Sequence, residues 1–268
     1  MTKYLVVNNK KGGTGKTSIS CMVAVYLSKF GKTCLIDSDE SGNATKRFVS
    51  ASQEEAKLSN LFRKQEVFPM PVRDNLDLVC GTPELEQVNT ELVSRINNTL
   101  VFASYLRQYK TFEEYEYLVI DTRNDSNLIT NNMLVVSDLV LGVSDPSSDG
   151  FEALMNLEEH VSFLAGELRD LFTGESYVQS SVVFVGNKVA HNTDVSRQFK
   201  QIMKEMPQFL GYFQDRTAFD EAGLQQKTVL DLFEEAKYQK ENYRVFRQET
   251  IRVLEAIKTE IDSVTSQR

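Results

Sequence analysis

The chain has 268 residues, 41% hydrophobic and 25% charged, ordinary values for a globular protein. Its net charge of −8 means that contact with nucleic acid needs a local basic patch, not a basic overall balance. Cys21, Cys34 and Cys80 are scattered and His160 and His191 are the only histidines, which argues against a disulfide framework or histidine-rich metal chemistry and for reduced core thiols in a cytoplasmic protein.

No uninterrupted apolar run is as long as a bilayer span. The first residues lack the apolar core of a leader peptide, and no Pro- or Gly-rich linker breaks the chain, so one domain over 1–268 is expected. The first predicted strand is "YLVVNN" at 4–9, followed by a glycine-rich turn and a helix near 16–30. Next come a strand "TCLID" at 33–37, a helical pattern near 84–109 and a strand "YLVID" at 117–121. A helix near 126–137, a strand at 139–144, a helix near 151–172, a strand at 182–187 and a helix near 193–205 follow. A final pattern, about 230–264, contains no Gly or Pro and predicts one or two terminal helices. The strands are short and apolar on consecutive positions, as in sheets covered on both faces. Strand and helix in alternation predict an α/β fold: a doubly wound, mostly parallel sheet.

The turn between the first strand and helix reads "NKKGGTGKTS" at 9–18. A glycine-rich turn entering a helix presents backbone N–H groups and the positive end of the helix dipole to one point, which suits phosphate. Gly12, Gly13 and Gly15 permit close approach, with Thr14 and Ser18 in the same cradle. Lys16 is placed to reach the β- and γ-phosphates of a nucleotide, and Thr17 to offer its hydroxyl to Mg²⁺. The ordinary phosphate-loop pattern has glycine where Lys10 stands, so the strict motif is broken. Asp37 and Asp39 close the second strand; separated by one residue, they point apart and are not expected to share a role. Either also fits as a cap of the following turn. Asp121 ends its strand where a carboxylate reaches Mg²⁺ directly or through water.

"KKGGTGKTS" resembles the deviant Walker A motif of the ParA/MinD family of ATPases, a branch of the P-loop NTPases. The segments "CLIDSDESGNATKRF" at 34–48 and "YLVIDTRNDSNLITNNMLVVSDLVLGVSDPSSDGFEAL" at 117–154 are similar to that family's switch and Walker B regions. "FDEAGLQQKTVLDL" at 219–232 is a weaker likeness, and "DSDESGNAT" looks most like the DNA-partitioning branch. The resemblance implies that Lys11 crosses the interface of an ATP-bound homodimer to touch the partner's phosphates. It makes Asp39 the residue that positions the attacking water and Asp37 a support of the Mg²⁺ shell. Lys10 is left with a general electrostatic contribution. "GNK" at 186–188 is similar to the base-contacting segment of related nucleotide-binding proteins, with Asn187 as the contact or simply a turn residue; Ala190, where a guanine site needs Asp, favours adenine. The sequence departs from the family after Asp121, where Arg123 and Asn124 replace two prolines. Their effect on hydrolysis is open: Arg123 is either a charge-stabilising arginine or part of a surface ion pair.

Family resemblance implies sequence-independent DNA binding in the ATP state, release by slow, partner-stimulated hydrolysis, and a role in plasmid or chromosome segregation with a DNA-binding adaptor, on the nucleoid. Counterion release requires clustered cations. Lys237, Lys240, Arg244, Arg247 and Arg252 fall on one side of a regular helix, beside an apolar side that includes Ala236, Phe246 and Leu254. That stripe is either a DNA contact or an ordinary solvated face, and Arg216 is a weaker candidate. A MinD-like membrane switch is the first alternative, but the polar end "AIKTEIDSVTSQR" predicts no stable membrane association. A nucleotide-dependent scaffold with little hydrolysis is the second.

Overall fold

The computed structural model describes residues 1–191 and 193–265. Among these described residues eight strands form one sheet: β1 (Lys3–Asn8), β2 (Thr33–Asp37), β3 (Met70–Arg73), β4 (Leu76–Val79), β5 (Tyr117–Asp121), β6 (Leu139–Ser144), β7 (Ser181–Val189) and β8 (Phe209–Gln214). Their order is β3-β4-β2-β5-β1-β6-β7-β8, and every neighbouring pair is parallel except β3 with β4. All five predicted strands are present with small shifts at their ends. The doubly wound α/β expectation holds.

Among the described residues eleven α-helices accompany the sheet: α1 (Lys16–Leu27), α2 (Asn43–Phe48), α3 (Leu58–Phe62), α4 (Glu84–Val93), α5 (Val101–Gln108), α6 (Leu128–Val135), α7 (Ser148–Glu167), α8 (Asp194–Lys204), α9 (Thr217–Leu224), α10 (Val229–Phe233) and α11 (Arg244–Ser263). Side chains alternate across each strand, so β1 sends Leu5 and Val7 into one core and Tyr4 and Val6 into the other. The first core packs under α1, α10 and α11, the second under α3 to α7. Two apolar faces explain why the central strands lack polar alternation.

Three expectations need correction. The pattern at 84–109 is two helices, because Asn97 takes a left-handed φ of 58° between them, a conformation open to Asn and incompatible with a continuing helix. The segment about 230–264 holds two helices, as the one-or-two expectation allowed, but is not continuously helical: α10 stops at Phe233, and an irregular stretch with buried Tyr238 intervenes before α11. Strands β3, β4 and β8 escaped detection. Pro71 sits in β3 and Asp77 interrupts β4; Asp77 is tolerated because Tyr115 donates a 2.6 Å hydrogen bond to it and Lys32 lies 3.5 Å away.

Candidate nucleotide site

The phosphate loop leaves the carboxyl end of central strand β1, where open α/β sheets place their ligands. Asn9 pins its start: the buried amide donates to Val143 O at 2.5 Å, while Oδ1 accepts the Lys11 N–H at 2.7 Å. Gly13 and Gly15 adopt φ of 76° and 93°, which side-chain-bearing residues adopt only under strain. A Cβ at Gly15 would also stand 2.2 Å from Asn187 Nδ2. Three donors take up the loop's carbonyls: Lys16 Nζ to Lys11 O (3.2 Å), Lys188 Nζ to Gly13 O (2.8 Å) and Asn187 Nδ2 to Thr14 O (2.7 Å). With those carbonyls committed, the amide edge of the turn and the acid-free first turn of α1 remain for an anion.

Asp37 and Asp121 are register partners at the ends of β2 and β5, both fully buried. Burial holds both carboxyls well above the ordinary carboxylate range, with the Asp121 charge reinforcing the shift at Asp37. At Asp121 the Ser20 and Thr17 hydroxyls and the Lys16 ammonium oppose the rise. Burial conversely lowers the pKa of Lys16, against the attraction of Asp121, Asp39 and Asp125. The structure thus brings Lys16, Thr17, Asp37, Asp39 and Asp121 together at one end of the sheet.

Their hydrogen bonds separate their roles. Asp37 Oδ2 accepts from Thr45 N and Oγ1 (2.7 and 2.8 Å), and Oδ1 accepts from Asp39 N (3.2 Å). One oxygen thus anchors α2 and the other the turn that precedes it. Asp39 accepts from Ser41 N and Oγ at 2.9 and 2.7 Å, the turn cap anticipated for an Asp beside Ser and Gly. Asp121 Oδ1 accepts from Ser20 Oγ at 2.8 Å, but Oδ2 is buried without a hydrogen-bond partner among the described residues, as is Thr14 Oγ1. An orphaned carboxylate oxygen near Thr17 fits a Mg²⁺ ion that arrives with phosphate ligands, since such sites need only one or two protein oxygens. Ser18 instead accepts from Arg47 at 3.3 Å on the outer side of α1. The Asn187 amide is buried and committed to the loop, so a base contact through that amide requires it to let go of Thr14.

The AAA_31 family (AAA domain) matches residues 2–172. The chain belongs to this family. It is a P-loop protein of the ParA/MinD type. The chain is 31% identical over 147 residues to the sporulation initiation inhibitor protein Soj of Bacillus subtilis, covering 53% of this chain and 57% of Soj. It is 31% identical over 146 residues to the chromosome partitioning protein ParA of Myxococcus xanthus, covering 52% and 50%. The chain thus spans about half the length of these curated relatives. An ATP complex of McdA from Cyanothece shares the fold, with a TM-score of 0.80 at 18% identity over 100% of this chain and 98% of that one.

In this ParA/MinD-type site the signature lysine is engaged within its own subunit. Lys11 Nζ lies 2.9 Å from both Asp145 oxygens and 2.7 Å from Ser147 Oγ. Burial would raise the Asp145 carboxyl, but the Lys11 and Ser147 hydrogen bonds outweigh it and hold it below its ordinary value. Gly150 makes room, since a Cβ there would meet Asp145 Oδ1 at 2.4 Å. Sequence reading missed Asp145, Ser147, Ser20 and Thr45; the signal available was polar residues directly after a buried strand or on the buried face of a helix. Arg123 is ion-paired to Glu40 and, at 3.3 Å, to Asp125.

The basic stripe is not a stripe. Lys237 and Lys240 precede α11, so the helical geometry assumed for all five cations applies only to Arg244, Arg247 and Arg252. Lys237 pairs with Glu221 and Arg244 with Glu241 (2.5 and 2.8 Å), and Arg247 donates to Tyr238 O and Lys240 O. Ala236, expected in the apolar side, is exposed, whereas Phe246 and Leu254 are buried as expected, together with Val253 and Ile257. Arg216 stands at the N-cap position of α9 without a side-chain cap, donates to Gln214 Oε1 at 2.9 Å and lies over the Phe246 ring.

Proposed function

We propose that this chain is a ParA-like ATPase that binds Mg²⁺-ATP in the loop at 9–18, dimerises around the nucleotide and binds DNA without sequence preference. Hydrolysis stimulated by a DNA-binding adaptor then releases it, serving the segregation of a plasmid or chromosome in the cytoplasm. The observation that carries the reading is the fastened loop beside buried Lys16 and the orphaned Asp121 Oδ2. Relatives named for chromosome partitioning and an ATP-bound neighbour support it.

Roles follow from the side chains. Lys16 and the amide edge of the loop bind the phosphates, while Thr17 and Asp121 hold Mg²⁺, whose charge offsets that of the phosphoryl oxygens. Asp39 orients the attacking water, and Asp37 keeps α2 and the segment before it in place. Lys11 must leave Asp145 to reach the phosphates of a second subunit, which links nucleotide binding to dimerisation. The DNA surface includes Lys240 and Arg252, which are exposed and have no acidic partner among the described residues.

The test is sedimentation with unrelated DNA and with anionic liposomes, each with ATP, ADP or no nucleotide. ATP-dependent DNA binding that is lost in Lys16→Gln is the expected result. Liposome binding without DNA binding would replace this reading with a membrane switch.

A further inference from the structure

The positions where the resembling family carries two prolines hold Arg123 and Asn124 here, and Arg123 reaches across the site. Its guanidinium is paired to Glu40, the residue directly after Asp39, and Nε lies 3.3 Å from Asp125 Oδ2. Asp125 is itself fixed: Oδ1 accepts from Asn127 N and Thr130 Oγ1 at 3.3 and 3.2 Å. Asn127 in turn caps α6 by accepting from Thr130 N at 2.8 Å. A continuous chain of contacts therefore runs from the start of α6 through Asp125 and Arg123 to Glu40 and the turn at 39–42. Asn124 lies beside the loop, its Nδ2 standing 3.2 Å from where a Cβ on Gly12 would be.

We propose that Arg123 is a positioning residue for hydrolysis: it clasps the segment carrying Asp39 to the segment following Asp121. Two prolines would stiffen the second segment alone by fixing its φ angles. A forked guanidinium between two carboxylates, one on each segment, fixes their separation instead. All three side chains are about two-thirds to three-quarters buried, so the pairs are sheltered from the full screening that makes exposed ion pairs weak. Asp39 is held by its Ser41 cap and by the neighbouring Glu40 anchor, so loss of the clasp frees the turn without touching Lys16.

The inference rests on the ATPase reading above for its kinetic consequence but not for its structural one, and the experiment has an arm for each. Steady-state ATP hydrolysis is measured for the full chain, Arg123→Ala, Glu40→Gln, Glu40→Asp and the Arg123→Ala/Glu40→Gln double variant. Arg123→Ala and Glu40→Gln are each expected to lower kcat about tenfold, the size of an ordinary pairwise coupling. KM for ATP stays unchanged, the double variant is no slower than either single one, and Glu40→Asp keeps most of the activity. In the nucleotide-free protein, hydrogen exchange is expected to speed up in both single variants at the amides of Asp39, Ser41 and Gly42, which are hydrogen-bonded within the turn. A drop in kcat for Arg123→Ala with none for Glu40→Gln would show Arg123 acting through its own charge and overturn the clasp. Unchanged exchange in both variants would overturn it as well, even if the parent chain hydrolyses no ATP.

Discussion

The phosphate loop and the basic segment at 237–252 both concentrate cations, yet the structure uses them in opposite ways. At the loop, buried Lys16 donates to a backbone carbonyl and partly buried Lys11 is held by Asp145, while exposed Lys188 of β7 donates to Gly13 O, all beside two fully buried carboxylates. In the terminal segment, Lys237 and Arg244 settle on nearby surface acids, and Arg247 stitches an irregular stretch to α11. Burying charge is expensive unless it is paired or awaits a ligand, so the loop's arrangement signals a site. Exposed cations beside acids cost almost nothing and carry little information.

Several experiments press on that contrast, beginning with the largest effect. Asp39→Ala is expected to lower ATP turnover at least about 100-fold, as loss of a water-positioning carboxylate does, while leaving ATP binding intact; turnover near that of the parent would remove Asp39 from the chemistry. Lys240→Glu with Arg252→Glu is expected to weaken DNA binding and to flatten its salt slope by about 1 for each phosphate that no longer meets a cation. Unchanged salt dependence would show that the terminal segment is only a solvated face.

Asp145→Ala should lower the ATP concentration needed for dimerisation a few-fold, read by light scattering, because it removes the ion pair that Lys11 must break. A higher requirement would mean that Asp145 assists the dimer instead. The buried carboxylates give the smallest effect. In the nucleotide-free protein the Asp37 and Asp121 pKa values are raised to about 7 and about 6, above the unfolded value of about 4. The folded state then binds protons more tightly, so these groups favour folding at low pH, and that contribution is lost as pH rises through this window. Thermal melts between pH 4 and pH 7 should show this loss, and Asp37→Asn should flatten it.

The contrast also explains what could be read from sequence. Strand β1 and the placement of Lys16 and Asp121 at one end of the sheet were legible because a glycine-rich turn between a strand and a helix, and an aspartate closing a buried strand, are local patterns. The pairing of Lys11 with Asp145 was not, because it joins residues 134 positions apart and depends on Gly150 lacking a side chain. The terminal stripe failed for a related reason. Helical projection assumes an unbroken helix, and burial of Tyr238 with the Arg247 hydrogen bond to its carbonyl overrode the local pattern. Strand β4 was hidden by Asp77, which reads as a loop residue until Tyr115 is placed beside it.

The central claim, that the loop at 9–18 is an ATP site served by Lys16 and Mg²⁺, is tested most directly by calorimetric titration with ATP, GTP and ADP, with and without Mg²⁺. ATP is expected to bind in preference to GTP, more tightly with Mg²⁺, and Lys16→Gln is expected to abolish the signal while retaining the parent's melting profile. Equal ATP affinity in folded Lys16→Gln would contradict the account.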